Sequence, residues 1–131
     1  MKPNPCPCHS GKTYAKCCQA FLSGKAKART AAQLMRSRYS AYALGEHGGY
    51  LYRTWHPDSR GSLQPEDLDL ITVRWTHLEL LQAQQSGDAG SVEFKARFVQ
   101  EDGSEGLHHE LSTFVRDKGH WLYHQGQVFE E

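Results

Sequence analysis

Val92-Glu93-Phe94-Lys95-Ala96-Arg97-Phe98 carries apolar side chains at positions 92, 94, 96 and 98 and charged ones at 93, 95 and 97. A period of two belongs to a strand with one buried and one wet face. Upstream, Ser86-Gly87-Asp88-Ala89-Gly90 reads as a hairpin connection, and before it Ile71, Val73 and Trp75 alternate with Thr72, Arg74 and Thr76. There the phase slips, because Leu78 and Leu80 take even positions. A one-residue slip would send the apolar set to the other face, which predicts a bulge or bend near His77. Downstream, Glu101-Asp102-Gly103-Ser104 turns the chain into a third strand, Gly106 to Arg116. Asp117-Lys118-Gly119 is a tight turn into a last strand, Trp121 to Phe129, where Gly126 is expected to interrupt pairing.

The first half is helical. Thr30-Ala31-Ala32-Gln33 is a capping-box pattern, the hydroxyl serving one free N–H and the glutamine another. The helix is expected to run to Leu44, with Gly45 placed to end it. Ala31, Met35, Arg38 and Tyr42 share one stripe, with Leu34 and Tyr39 beside it. A short helix is predicted over Gly48 to Trp55, ended by His56-Pro57, and a further turn near Pro65 to Leu68. Phe21 to Arg29 reads as a connector pivoting at Gly24. Helices followed by a run of antiparallel strands predict an α+β domain, helices packed on one face of a curved sheet with a pocket between them.

The 131 residues suit one domain with a small appendage, and 38% apolar content is enough for an ordinary soluble core. No apolar run approaches the roughly 20 residues of a membrane span, and Met1-Lys2-Pro3-Asn4-Pro5 has no apolar segment behind it to act as a secretory signal. A cytoplasmic location is therefore expected, where clustered cysteines point to metal rather than disulfides. Charge is unevenly placed. Residues 1–45 hold eight bases and no acid, a net +8; residues 46–131 hold seven bases and all 15 acids, a net −8. A metal bound by four thiolates contributes about −2 to the first part. Such a split either presents a basic face to an acidic partner or folds the basic segment onto the acidic body.

All four cysteines lie in the first eighteen residues, as Cys6-Pro7-Cys8, an eight-residue loop, then Cys17-Cys18. A zinc ion takes four thiolates at about 2.3 Å, with sulfurs roughly 3.7 to 3.8 Å apart, and two near pairs joined by a short loop meet that geometry. The alternatives are an iron–sulfur or other metal, a redox role, and His9 replacing one cysteine. Four protein ligands leave no open position, so the zinc is expected to be structural. Gly11-Lys12-Thr13 looks like the end of a phosphate-binding loop, but the glycine required five positions earlier is Cys6.

Cys6-Pro7-Cys8-His9-Ser10-Gly11-Lys12-Thr13-Tyr14 with Lys16-Cys17-Cys18 resembles the SEC-C zinc motif, the module at the C-terminus of the SecA translocation ATPase; it departs at His9, where the motif usually has glycine. Leu34-Met35-Arg36-Ser37-Arg38-Tyr39-Ser40-Ala41-Tyr42, followed by Thr54-Trp55-His56-Pro57 and Arg60, resembles the bacterial YchJ family over nearly the whole chain. The resemblance implies a SEC-C-type zinc motif over residues 1–22, an NTF2-like (cystatin-like) cone over 28–131, and a biochemical role that is poorly defined.

Outside the cysteines, the expected pocket residues are Arg36, Arg38, Tyr39, Tyr42, Trp55, His56 and Glu110. Arg38 is expected to point inward and to need a carboxylate, with Glu79, Glu93 and Glu110 on offer. His108-His109-Glu110 looks metal-like, but strand neighbours face opposite ways; His109 with His120 or His124 is the version that geometry allows. Two functions compete. One is a non-catalytic interaction module whose basic knuckle docks on an acidic protein, a ribosomal surface or anionic lipid. The other is a pocket that takes a small molecule, as an isomerase or dehydratase with Glu110, His56 or His109 as base and Tyr39 or Tyr42 as hydrogen-bond donor. No convincing acid–base pair stands out, so the reading leans away from an enzyme. RNA binding gains from the basic segment and loses from the lack of aromatic patterning.

Overall fold

Val92, Phe94 and Ala96 are buried on the second strand of a four-stranded antiparallel meander. The structure, a computed structural model, describes residues 4–69 and 73–129. The strands are β1 (Arg74–Ser86), β2 (Ala89–Val99), β3 (Glu105–Asp117) and β4 (His120–Phe129), paired in chain order. The expected strand onset at Ile71 and Thr72 lies outside the described residues, as do Lys2, Glu130 and Glu131. Ser86 pairs with Ala89, so the first hairpin is tighter than expected, a two-residue Gly87-Asp88 turn. Gly87 sits at φ 58°, and a glycine in the first position gives a turn whose twist matches the strands.

The register of β1 shifts between Trp75 and His77, the slip expected near His77, and again between Leu80 and Gln82. The first shift leaves Thr76 as the extra residue, so Trp75, Leu78 and Leu80 all pack toward the core. The second leaves Leu81 43% exposed. Gly126 does not interrupt pairing; it pairs with Ser112. The irregularity lies at His124, the extra residue between Tyr123, opposite Phe114, and Gln125, opposite Thr113. A Cβ at 126 would meet the Glu110 carboxylate and the Tyr123 hydroxyl, so a larger residue there would have to displace that hydrogen-bonded pair.

Among the described residues four helices precede the sheet: α1 (Gln19–Leu22), α2 (Ala31–Leu44), α3 (Gly48–Arg53) and α4 (Pro57–Arg60), with 3₁₀ turns at Tyr14–Lys16 and Pro65–Leu68. The connector expected over 21–29 thus begins inside a one-turn helix. The Thr30 hydroxyl accepts from Gln33 N–H at 3.1 Å, and Gln33 Oε1 reaches back to Arg29 N–H at 2.8 Å, a capping box displaced by one residue. Gly45, at φ 74°, ends the helix. The helix α4 was not expected: Pro57 occupies its first turn, where its missing N–H costs nothing, and the ring nitrogen Nδ1 of His56 accepts from Asp58 N–H at 3.0 Å.

Helix α2 packs on β1, β2 and β4, and is buried on more than one face, at Leu34, Met35, Arg38 and Tyr39 but also at Ser37, Ser40 and Ala41. Helices α1 and α3 also pack on α2. Cys6, Cys8 and Cys18 share one core cluster with Leu34, Met35, Tyr39, Val92 and Phe114. No helix among the described residues is long and apolar enough to cross a membrane.

Candidate metal centre and cavity

The knuckle is a small hairpin. Pro5 bridges Thr13, Tyr14 N–H donates to Asn4 C=O at 2.9 Å, and Cys6 N–H donates to Lys12 C=O at 2.9 Å. His9, at φ 61°, takes the left-handed conformation that a glycine adopts without strain. The 3₁₀ turn then brings Cys17 and Cys18 under Cys8. One sulfur from each of the four cysteines lies within 4.8 Å of the others, with Cys8 and Cys17 3.6 Å apart and Cys17 and Cys18 3.9 Å. These separations bracket the tetrahedral edge of roughly 3.7 to 3.8 Å expected of four thiolates on zinc, and all four thiols are free of disulfides. His9 is not part of this group; its ring lies 4.9 Å from that of His77 and 6.3 Å from that of Tyr39.

Polar groups hold the cluster to its surroundings. Ser10 Oγ lies 3.2 Å from Cys17 Sγ, and Ser40 Oγ of α2 lies 3.6 Å from Cys6 Sγ. Arg36 Nη1 donates to the Cys8 carbonyl at 2.7 Å. The hydrogen bond with Cys18, acting against burial, and those with Ser10, Cys6 and Cys17 bring the Cys8 thiol down to about 4. The same bond with Cys8, together with burial, pushes Cys18 up; burial does the same to Cys17. Four clustered thiols are a donor set that accommodates a cation.

Between α2 and the sheet lies a cavity of about 360 Å³. Arg38, Tyr39, Tyr42, Trp55 and Glu110 all line it, joined by Trp75, Ser112 and Tyr123. Arg36 and His56 do not: Arg36 reaches the knuckle, and His56 faces Asp58 and His124. The lining contributed by Ser112 and Phe114 follows from strand alternation with Glu110; Tyr123 stands beside the bulge, where a simple alternation gives no reliable side.

Arg38 forms no ion pair with Glu79, Glu93 or Glu110. Its Nη1 donates to Leu51 C=O at 2.8 Å and Thr54 Oγ1 at 2.7 Å, and its guanidinium lies 5.1 Å from the Trp55 ring and 4.9 Å from that of Tyr123. Two acceptors and two aromatic rings replace the carboxylate. Burial lowers its pKa, with Tyr42, Tyr123, Tyr50 and Glu110 acting the other way. Two of the candidate carboxylates are taken elsewhere, and Glu79 is exposed. Glu110 accepts from His108 Nε2 at 2.8 Å, from Ser112 Oγ and from Tyr123 OH at 3.2 Å. Burial would raise Glu110, but these donors together hold it below the ordinary value of 4.5. Glu93, on the outer face, accepts from His109 Nε2 and Gln82 Nε2, both at 2.7 Å. His108 and His109 thus face opposite ways, and His109 meets the ring of Phe129 rather than His120 or His124. The Tyr39 hydroxyl is buried with no hydrogen-bond partner among the described residues. Burial first, then the charge on Cys8, raises its pKa to about 12.

The same organisation occurs in known proteins. The profile of the family described as YchJ, middle NTF2-like domain, matches residues 30–126, and that of the SEC-C motif matches 3–20. A UPF0225 protein of Deinococcus radiodurans is 46% identical over 91% of this chain and 85% of its own length. One from Sodalis glossinidius is 42% identical over 95% and 83%, and one from Streptomyces coelicolor 41% identical over 99% and 100%. The solution structure of a SEC-C motif containing protein from Rhodopseudomonas palustris superposes with a TM-score of 0.86 at 35% identity, covering 95% of this chain and 98% of that one. A putative Ca/calmodulin-dependent kinase II association domain from Exiguobacterium sibiricum gives a TM-score of 0.56 at 14% identity over 76% and 91%, a likeness of fold alone.

Proposed function

The chain belongs to the YchJ family, a SEC-C motif followed by an NTF2-like domain, and from this we propose that it is a non-catalytic, zinc-organised binding protein whose basic knuckle docks on an acidic protein segment. Cys6, Cys8, Cys17 and Cys18 hold the zinc; with all four positions filled by sulfur it fixes the knuckle and leaves no site for a reacting water. One observation carries the docking reading: Lys12, Lys16, Lys25, Lys27 and Arg29 are exposed, and no carboxylate among the described residues lies within ion-pair distance of them. The basic segment is not neutralised by the acidic body. Lys12, Lys16 and Arg36 line a groove of about 370 Å³ together with Phe21, a mixture of cation and apolar surface suited to an acidic peptide. Affinity capture from cells with the wild type and Lys12→Glu/Lys16→Glu tests this. Partners held by the wild type are expected to be lost on charge reversal while native mass spectra still show one zinc per chain; an unchanged set of partners contradicts the reading.

A second reading is favoured by the cavity wall, where Arg38, Tyr42 and Glu110 stand among aromatic rings: the cavity takes a small molecule with an apolar body and a polar group. Glu110, held ionised by three donors, is a poor base, so this is binding rather than catalysis. A molecule retained in native mass spectra of the wild type and lost from Tyr42→Phe supports it; a cavity empty in protein taken directly from cells counts against it.

A further inference from the structure

We propose that His56, Asp58 and His124 form a second metal site, for a borderline divalent transition-metal ion such as zinc or nickel, where the loop between α3 and α4 meets the bulge of β4. One ring nitrogen from each histidine and one carboxylate oxygen of Asp58 lie within 4.8 Å of one another. Among the described residues this is the one group of three such donors besides the cysteines. Two neutral imidazoles and one carboxylate are the donors that borderline divalent ions prefer, and they leave coordination positions for water.

Three independent features bring these donors together. His124 is the extra residue of the β4 bulge, an irregularity of the kind that re-aims a side chain out of a regular strand. The two histidine-bearing segments are tied by backbone bonds: His56 N–H donates to Tyr123 C=O at 2.7 Å, and Tyr123 N–H donates to Thr54 C=O at 2.7 Å. This holds the rings of His56 and His124 5.0 Å apart and nearly perpendicular. Finally, His56 Nδ1 accepts from Asp58 N–H, so that nitrogen carries a lone pair rather than a proton, and it lies 3.6 Å from Asp58 Oδ2. Metal–ligand bonds of about 2.0–2.2 Å require donors roughly 3 to 3.5 Å apart, so side-chain movements on the order of 1 Å complete the site. The ion would take over the Nδ1 lone pair and release Asp58 N–H to solvent, which already reaches this exposed residue. Asp58 is 75% exposed and His56 22%, so this ion exchanges readily with solvent, unlike one enclosed by buried sulfurs.

The test is a titration of the zinc-loaded, full-length protein, without a polyhistidine tag, with zinc chloride, followed by calorimetry and native mass spectrometry. The wild type is expected to bind a second equivalent. His124→Ala and Asp58→Asn are each expected to weaken that equivalent by about tenfold or more and to keep the first, with Asp58→Glu recovering binding. A cobalt(II) titration of metal-free wild type gives a readout that needs no variant. The first equivalent produces thiolate charge-transfer absorption, and the second adds only the weak d–d bands of nitrogen and oxygen ligands. A wild type that stops at one ion per chain overturns the assignment. So does a second ion that survives both substitutions, or one with a thiolate spectrum.

Discussion

Arg38 is a buried cation with no ion-pair partner among the described residues, satisfied by Leu51 C=O, Thr54 Oγ1 and the faces of Trp55 and Tyr123. A lysine is a point charge that cannot stack as a planar fork does, so Arg38→Lys is expected to cost about 1–3 kcal/mol in chemical denaturation. Its helix neighbour behaves in the opposite way. Tyr39→Phe removes a hydroxyl that has no partner, and the ligand-free protein is expected to keep its stability or gain up to about 1–3 kcal/mol. Glu110 sets a dependence on acid. Its pKa is lower folded than unfolded, so its contribution is present above the ordinary value of 4.5 and is lost as pH falls through the folded value. The stability advantage of the wild type over Glu110→Gln, measured in urea, should therefore be full near neutrality and shrink below that value. An advantage that does not vary with pH would show that the carboxylate titrates alike in both states.

The elements differ in how far their sequences reveal them. The long helix, β1 and β2 are legible from a repeated apolar period, and β3 and β4 from the Gly-containing turns that bound them; α2 also carries its own start and stop at Thr30 and Gly45. Replacing Thr30 by Ala is expected to cost about 1 kcal/mol, read as a lowered thermal midpoint, since Gln33 N–H loses its acceptor. The bulge near His77 is legible from a change of phase. The one at His124 is not, because Trp121, Leu122, Tyr123 and Val128 provide no unbroken alternation to be violated. Helix α4 is too short to show a period, and His56 is an unusual cap. At the candidate sites, the cysteine spacing is readable in the chain itself. Arg38 is readable as buried but not as lacking a carboxylate, since its actual acceptors belong to a backbone carbonyl and a threonine whose positions depend on how α3 packs.

Across the whole molecule, the cysteines belong to the same core as Leu34 and Phe114, so the knuckle has no separate unfolding to undergo. Metal removal by a chelator is expected to lower the midpoint of the entire domain by at least about 10 °C, where each kcal/mol is worth roughly 4 °C at this size. Near-ultraviolet circular dichroism from Trp75 and Trp121 should be lost in the same transition. A knuckle that melts first, leaving the sheet signals intact, would contradict this. Helix α2 is the common wall. Arg36 and Ser40 address the cysteine segment, while Arg38 and Tyr39, between them in sequence, line the cavity. One rod thus carries contacts to both the proposed metal knuckle and the void. A molecule that enters the void and favours the rod's metal-bound position must tighten the metal by the same factor that the metal tightens the molecule.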